Sequence, residues 1–309
     1  MSRIVAPGWS KSTESDGAQR LSQNRPAPVS IVRWFWARAR RNRNILLGSL
    51  GVFVVALGVF VGPALVPYKP YDVDTNASLA PPSATHPMGT DQFGRDVLSR
   101  VAFGGRLTIG VAFLAVVLGM IPGTAVGIIA ALAGYQVDLL IMRGIDILMA
   151  FPSILLALVV VTIQGPGLTN AMVAVGISLA PTYVRVVRGA VLSIREKPYF
   201  EAARAIGCSF ARTAVRHVLP NIFSTVLVLS TVATGWAVII GSSLSFLGLG
   251  PQPPAAEWGV DLANGRSYLQ AAWWICTFPG FAIMAAVLSI NLLGDGLRDI
   301  LDPYMSGAG

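Results

Sequence analysis

The stretch ILMAFPSILLALVVVTIQGPGLTNAMVAVGISLAPTYV, residues 147–184, contains no Asp, Glu, Lys or Arg. A charge at the centre of a spanning helix costs roughly 2.5–3.5 kcal/mol on insertion scales, so a charge-free run of this length reads as lipid-embedded. It is too long for one crossing, which takes about 20 residues. Gln164-Gly165-Pro166-Gly167 breaks it with the residues of a turn between antiparallel helices. Two spans lie here, and the expected fold is all-α and polytopic.

Four further charge-free windows cover 45–67, 107–137, 217–256 and 267–294. Trimmed to plausible crossings, the spans are expected at about 45–66, 107–133, 138–163, 168–187, 221–248 and 272–294. The third carries Arg143 and Asp146 in its first turns, three apart on one face, where an ion pair is expected. Six crossings put both termini on one side. Of the 23 Lys and Arg, eighteen fall on that side and five opposite, so the termini are expected in the cytoplasm.

Composition agrees with a membrane protein and removes most enzyme chemistry. The 309 residues are 54% hydrophobic and 12% charged, with mean hydropathy +0.64, which excludes a soluble globular domain. The net charge of +8 then reads as cationic loops beside a bilayer, with no nucleic acid expected. Two His and two Cys leave little for metal or thiol chemistry. Cys208 falls in a cytoplasmic segment and Cys276 within the last span, so no disulfide is expected between them. A P-loop needs a Lys after Gly, whereas Lys11, Lys69 and Lys197 follow Ser10, Tyr68 and Glu196. His86 and His217 fall on opposite sides, and no G-x-S-x-G elbow occurs. Neither a catalytic residue nor a metal site is expected.

The chain divides into five regions. Residues 1–44 form a polar tail whose end, with Trp34, Phe35 and Trp36, reads as a short helix at the membrane surface. Residues 45–66 are the first span, and 67–106 an external segment with Pro pairs and mixed charge that reads as an ordered cap. Residues 107–294 are the core, with a cytoplasmic loop at 188–220, and 295–309 a cytoplasmic end. Within the cap, Asp91, Arg95 and Asp96 are expected to hold the fold by charged hydrogen bonds. In the spans, Gly104-Gly105, Gly123, Gly127 and Gly134 read as close-packing positions. Ser289 and Asn291 are the polar residues of the last span most able to face a pathway.

The loop 188–220 is long beside the other connections, and long loops tend to carry function. Pro198 suits a first helical turn, Glu196 and Glu201 complement its positive end, and Ala202, Ala203 and Ala205 give it a small surface. Gly207 allows a sharp turn. A second short helix is expected through Phe210, Ala214 and His217, ending at Leu219-Pro220 where the fifth span starts. Two such helices make a knob that a partner could grip.

The order Glu201-Ala202-Ala203, Gly207, His217, Leu219, Pro220, Asn221 resembles the EAA loop of ABC importer permeases. The likeness extends to His86-Pro-Met-Gly-Thr-Asp-Gln-Phe-Gly-Arg-Asp96 with Ser99-Arg100, to Pro253-Pro254, Trp258-Gly259 and Gly265-Arg266, and to Asn291 through Pro303. Roughly residues 31–303 are similar to the C-type permease subunit of dipeptide and oligopeptide importers; nickel and glutathione importers share the subunit type. The resemblance implies the type I ABC importer fold in a bacterial inner membrane. It implies docking of Glu201, Ala202, Ala203 and Gly207 on an ATPase, supported by His217, Leu219 and Pro220. It further implies a second homologous permease, two ATP-binding subunits that hold ATP and magnesium, and an external solute-binding protein, with no cofactor on this chain. The competing readings are a secondary transporter, which would show charge or broken helices at mid-membrane, and an assembly subunit without transport activity.

Overall fold

The computed structural model describes residues 38–40 and 42–301, and the helical bundle is the unit that begins at Asn42. The surface helix expected around residues 34–36 lies outside the described residues. The unit is all-helical, with no named strand among the described residues.

Helix α1, Arg43–Phe60, starts where the Asn42 side chain accepts from the Asn44 and Ile45 amides. It lies antiparallel along the last helix, α9, Trp274–Leu301. A Cβ on Gly48 would collide with the Leu293 backbone, and one on Gly51 would meet Ser289. Helix α2, Val97–Leu132, begins ten residues before the charge-free window because Asp96 caps it, accepting from the Ser99 amide at 2.7 Å. The segment between spans therefore ends at Asp96, and Arg100 and Arg106 belong to a helix rather than a loop.

Helix α5, Leu168–Arg195, packs parallel to α2. The contact is a backbone approach permitted by small residues: a Cβ on Gly119 would lie 2.6 Å from the Gly176 carbonyl, and Gly123 and Gly127 face Ala180 and Val184 in the same way. Gly134 does not pack. It takes φ +107 in open space and turns the chain out of α2.

Parallel α2 and α5 require the chain between them to recross the bundle. It does so as two helices, α3, Tyr135–Met149, and α4, Ser153–Gln164, bent by 91°. The straight third span expected over 138–163 is corrected by this break. Pro152 lacks an amide proton and disfavours helical backbone at Phe151, so the helix stops and restarts there. Counting the bent pair as one, six elements among the described residues are long and apolar enough to cross a membrane. The Arg143–Asp146 pair does not form either. Asp146 accepts from Arg185 of α5 at 2.5 Å, and Asp138 holds Arg188 at 2.5 Å, because α3 turns its acidic residues toward α5.

Helix α7, Leu219–Phe246, closes the core against α2, α5 and α9. Ala115, Val161, Ala174, Val175, Ala237 and Leu244 form the dry centre of the bundle.

Candidate functional site

The end of the bundle at which α2 and α5 finish carries α6, Pro198–Ala205. Pro198 opens it, and Glu201 sits in its first turn, opposite in sign to the helix end. Two of its side chains root it: Phe200 and Ala203 are buried, and Phe200 joins a cluster with Ile128 and Ala131 of α2, Val187, Val191 and Ile194 of α5, and Ala214, Val218 and Ile222. Arg195 adds a hydrogen bond to the Ala131 carbonyl at 2.5 Å.

Gly207 ends the helix with φ +77. The Cys208 amide donates to the Ala203 carbonyl at 3.1 Å and Ile206 to Ala202 at 3.1 Å, a C-terminal cap that needs a left-handed residue between. The opposite face of α6 is left open. Glu201 and Ala202 are exposed, Ile206 is 80% exposed, and Tyr199, Phe210 and Val215 extend the apolar surface.

Beyond the cap the expected arrangement changes. The short helix Phe210–Thr213 does not stop at Leu219-Pro220. It passes through a π-helical turn, Ala214–Val218, directly into α7, and Phe210–Phe246 forms one continuous 37-residue rod. The π turn places Pro220, which has no amide to donate, at the start of the regular helix. Asn221 Nδ2 donates to the His217 carbonyl at 2.7 Å. His217 is half-buried, while Leu219 and Pro220 are exposed. The structure thus brings Ala203 into the root, leaves Glu201, Ala202 and Gly207 on the surface, and makes the other residues part of a rod that enters the core.

The opposite end, where α2 starts, is a buried polar lattice. Asp91 accepts from Arg95 Nε at 2.6 Å and from the Phe93 and Arg95 amides at 2.8 and 3.0 Å. Asp96 holds His86 Nδ1 at 3.0 Å as well as capping α2. Both carboxylates and Arg95 are buried, and each is tied within the cap.

Three further residues were missed from sequence. Arg100 donates to Asp261 Oδ1 through Nε at 2.7 Å and to the Ala255 and Pro70 carbonyls at 2.9 and 3.1 Å. Asp261 lies on α8, Trp258–Gly265, whose N-cap Glu257 accepts from Thr108 at 2.9 Å and from the Val260 amide at 2.9 Å. Two carboxylates four apart between charge-free windows were the available signal.

Burial pushes the Asp261 carboxyl up to about 6, with the Arg100 guanidinium pulling the other way. The folded chain then keeps a proton that the unfolded chain has lost above its ordinary carboxylate range at pH ~4. This stabilisation is present at acid pH and is lost as pH rises through about 6. The thermal midpoint of the wild type relative to Asp261→Asn should therefore fall with increasing pH across that window and level off above it. A pH-independent difference would contradict the assignment.

An all-helical bundle with parallel α2 and α5, a rooted knob at one end, a polar lattice at the other and helices long and apolar enough to span defines a polytopic membrane protein. Residues 123–307 match the family model described as binding-protein-dependent transport system inner membrane component, and residues 30–82 that of the N-terminal TM domain of oligopeptide transport permease C. The chain is 41% identical to the dipeptide transport system permease protein DppC of Alkalihalophilus pseudofirmus, over 90% of this chain and 91% of that one. It is 38% identical to the probable D,D-dipeptide transport system permease protein DdpC of Escherichia coli, over 96% and 95%. The glutathione transport system permease protein GsiD of Pectobacterium atrosepticum is 40% identical over 88% and 91%. Among solved structures, a chain of the MetNI methionine ABC transporter matches with TM-score 0.53 and 19% identity, covering 64% of this chain and 95% of that one; it bears on the fold alone.

The chain belongs to the binding-protein-dependent transport system inner membrane component family, as a C-type permease of the peptide class. It is a multi-pass inner membrane protein.

Proposed function

We propose that this permease carries short peptides inward and draws its driving force from ATP hydrolysed on partner subunits that grip α6. The observation that carries this reading is the combination of an exposed face, Glu201, Ala202 and Ile206, with a buried root, Phe200 and Ala203. A partner that moved the face would move α5 and α7 with it, because the chain enters α6 from one and leaves it into the other. Force transmitted this way changes the pathway only if partner contacts differ between two states of the bundle. The basic loops favour a cytoplasmic position for the α6 end, and the opposite end would meet a solute-binding protein. A second, homologous permease would complete the pathway. The dipeptide permeases among the relatives favour a peptide solute, and the glutathione permease makes a γ-linked tripeptide the second candidate.

The test is uptake into proteoliposomes holding the complete complex and its binding protein, with radiolabelled L-alanyl-L-alanine or glutathione outside. Accumulation that requires ATP in the compartment facing α6 is the expected result. Accumulation driven by an ion gradient without ATP would overturn the reading.

A further inference from the structure

Between α4, α5 and α7 lies a groove of about 550 Å³, walled by Leu179, Tyr183 and Ile240 and holding Ser153, Thr182 and Trp236. Trp236 is 57% exposed, near the middle of α7. The indole N–H and the Ser153 and Thr182 hydroxyls have no hydrogen-bond partner among the described residues. That sets them apart from many hydroxyls of the spans, which turn back onto their own helices: Thr162 to Leu158, Thr234 to Ser230, Ser243 to Ile239, Ser289 to Ala285. Tyr183, whose ring also lines the groove, gives its hydroxyl to Ser230 at 2.9 Å.

Unpaired polar groups facing hydrocarbon are costly, and a surface covered by lipid would not gather three of them in one concavity. Apolar walls with a few converging polar groups are the composition of a small-molecule site. We propose that this groove is the chain's share of the solute pathway and that Trp236 touches the passing solute. The ligand class is a small amide-containing molecule, whose carbonyls the indole N–H and the two hydroxyls can serve while the ring covers an apolar side chain. Ser289 and Asn291 are not part of it: Ser289 bonds within α9, and Asn291 Oδ1 is buried against Gly235. The proposal rests on the transport reading above and supplies its route to the solute. The two long walls of the groove, α5 and α7, are the helices that α6 joins, and Pro181, beside Thr182, interrupts the hydrogen bonds of α5 at the groove.

The experiment uses the complete complex in membrane vesicles, with Cys208→Ser and Cys276→Ala as background and Ser153→Cys or Thr182→Cys added singly. The probe is a charged, membrane-impermeant methanethiosulfonate, and Phe53→Cys on the exposed face of α1 is the control. Both groove cysteines are expected to react, at rates that change when vanadate traps nucleotide on the complex, while the control stays unreactive. No reaction at the groove would mean that lipid or a second protein covers it, and reaction indifferent to vanadate would mean a static crevice; either result overturns the proposal. Trp236→Ala should raise KM for uptake by roughly tenfold, as loss of an aromatic contact does, with Trp236→Phe recovering most of it. Wild-type uptake without ATP dependence would sink the reading of an ATP-driven permease. ATP-dependent uptake with unreactive groove cysteines would sink only this proposal.

Discussion

Replacing Gly207 by Val, or Glu201 by Lys, is expected to reduce ATP-dependent uptake by roughly tenfold or more, as loss of a docking hot spot does, while the chain still inserts and assembles. At Gly207 the cause is backbone conformation alone. The residue sits at φ +77, and a Cβ there would meet nothing within 4 Å, so Val introduces no clash. A left-handed conformation costs an ordinary L-residue roughly 1–2 kcal/mol and a β-branched one more. That is enough to open the cap made by the Cys208 and Ile206 amides, and small beside the stability of the bundle. The knob would lose its shape without loss of the fold. Glu201→Lys acts differently: the side chain is exposed, so little packing is lost, but its charge is reversed at the positive end of α6 and on the surface offered to the partner. Glu201→Gln should be milder. Uptake that survives both Gly207→Val and Glu201→Lys would count against a coupling role for α6.

The second large effect lies at the other end. Arg100→Leu is expected to destabilise the chain by about 3–5 kcal/mol, because it strands a buried carboxylate. Arg100 and Asp261 are both buried, and Asp261 Oδ2 already lacks a partner. Removing the guanidinium would also leave the Ala255 and Pro70 carbonyls without their donor, loosening α8 and the cap from the start of α2. Adding Asp261→Leu should return part of the loss, since no unpaired charge then remains. The two carbonyls would stay unserved, so recovery should be incomplete. A double variant as unstable as the sum of the singles, measured by thermal unfolding of the purified chain, would show that the pair is not coupled.

The membrane class and the approximate positions of the apolar elements were legible because insertion energetics depend on the local run of apolar residues and the absence of charge within it. The shape of the α6 segment was legible for a different reason. Pro198, Glu201 and Gly207 each satisfy a local rule of helix start or stop, and each occupies the place that rule gives it. What sequence misread depends on the third dimension. The break at Pro152 sits inside a charge-free window, and hydropathy does not register a 91° bend. Pro220 reads as a stop, yet a π turn just before it carries the helix through. Asp146 has an obvious neighbour in Arg143 and instead bonds Arg185, thirty-nine positions away. The Arg100–Asp261 pair spans 161 positions, and only the folded bundle brings its members together.

In the proposed mechanism, force from nucleotide turnover enters this chain through α6. A photocrosslinking residue in place of Ile206, which projects from the knob with 80% of its surface free, tests it most directly in intact membranes. The expected adduct is with a P-loop ATPase subunit, and its yield should change between nucleotide-free and vanadate-trapped states. Adducts only with lipid or with the external binding protein, or none with any ATPase, would contradict the account.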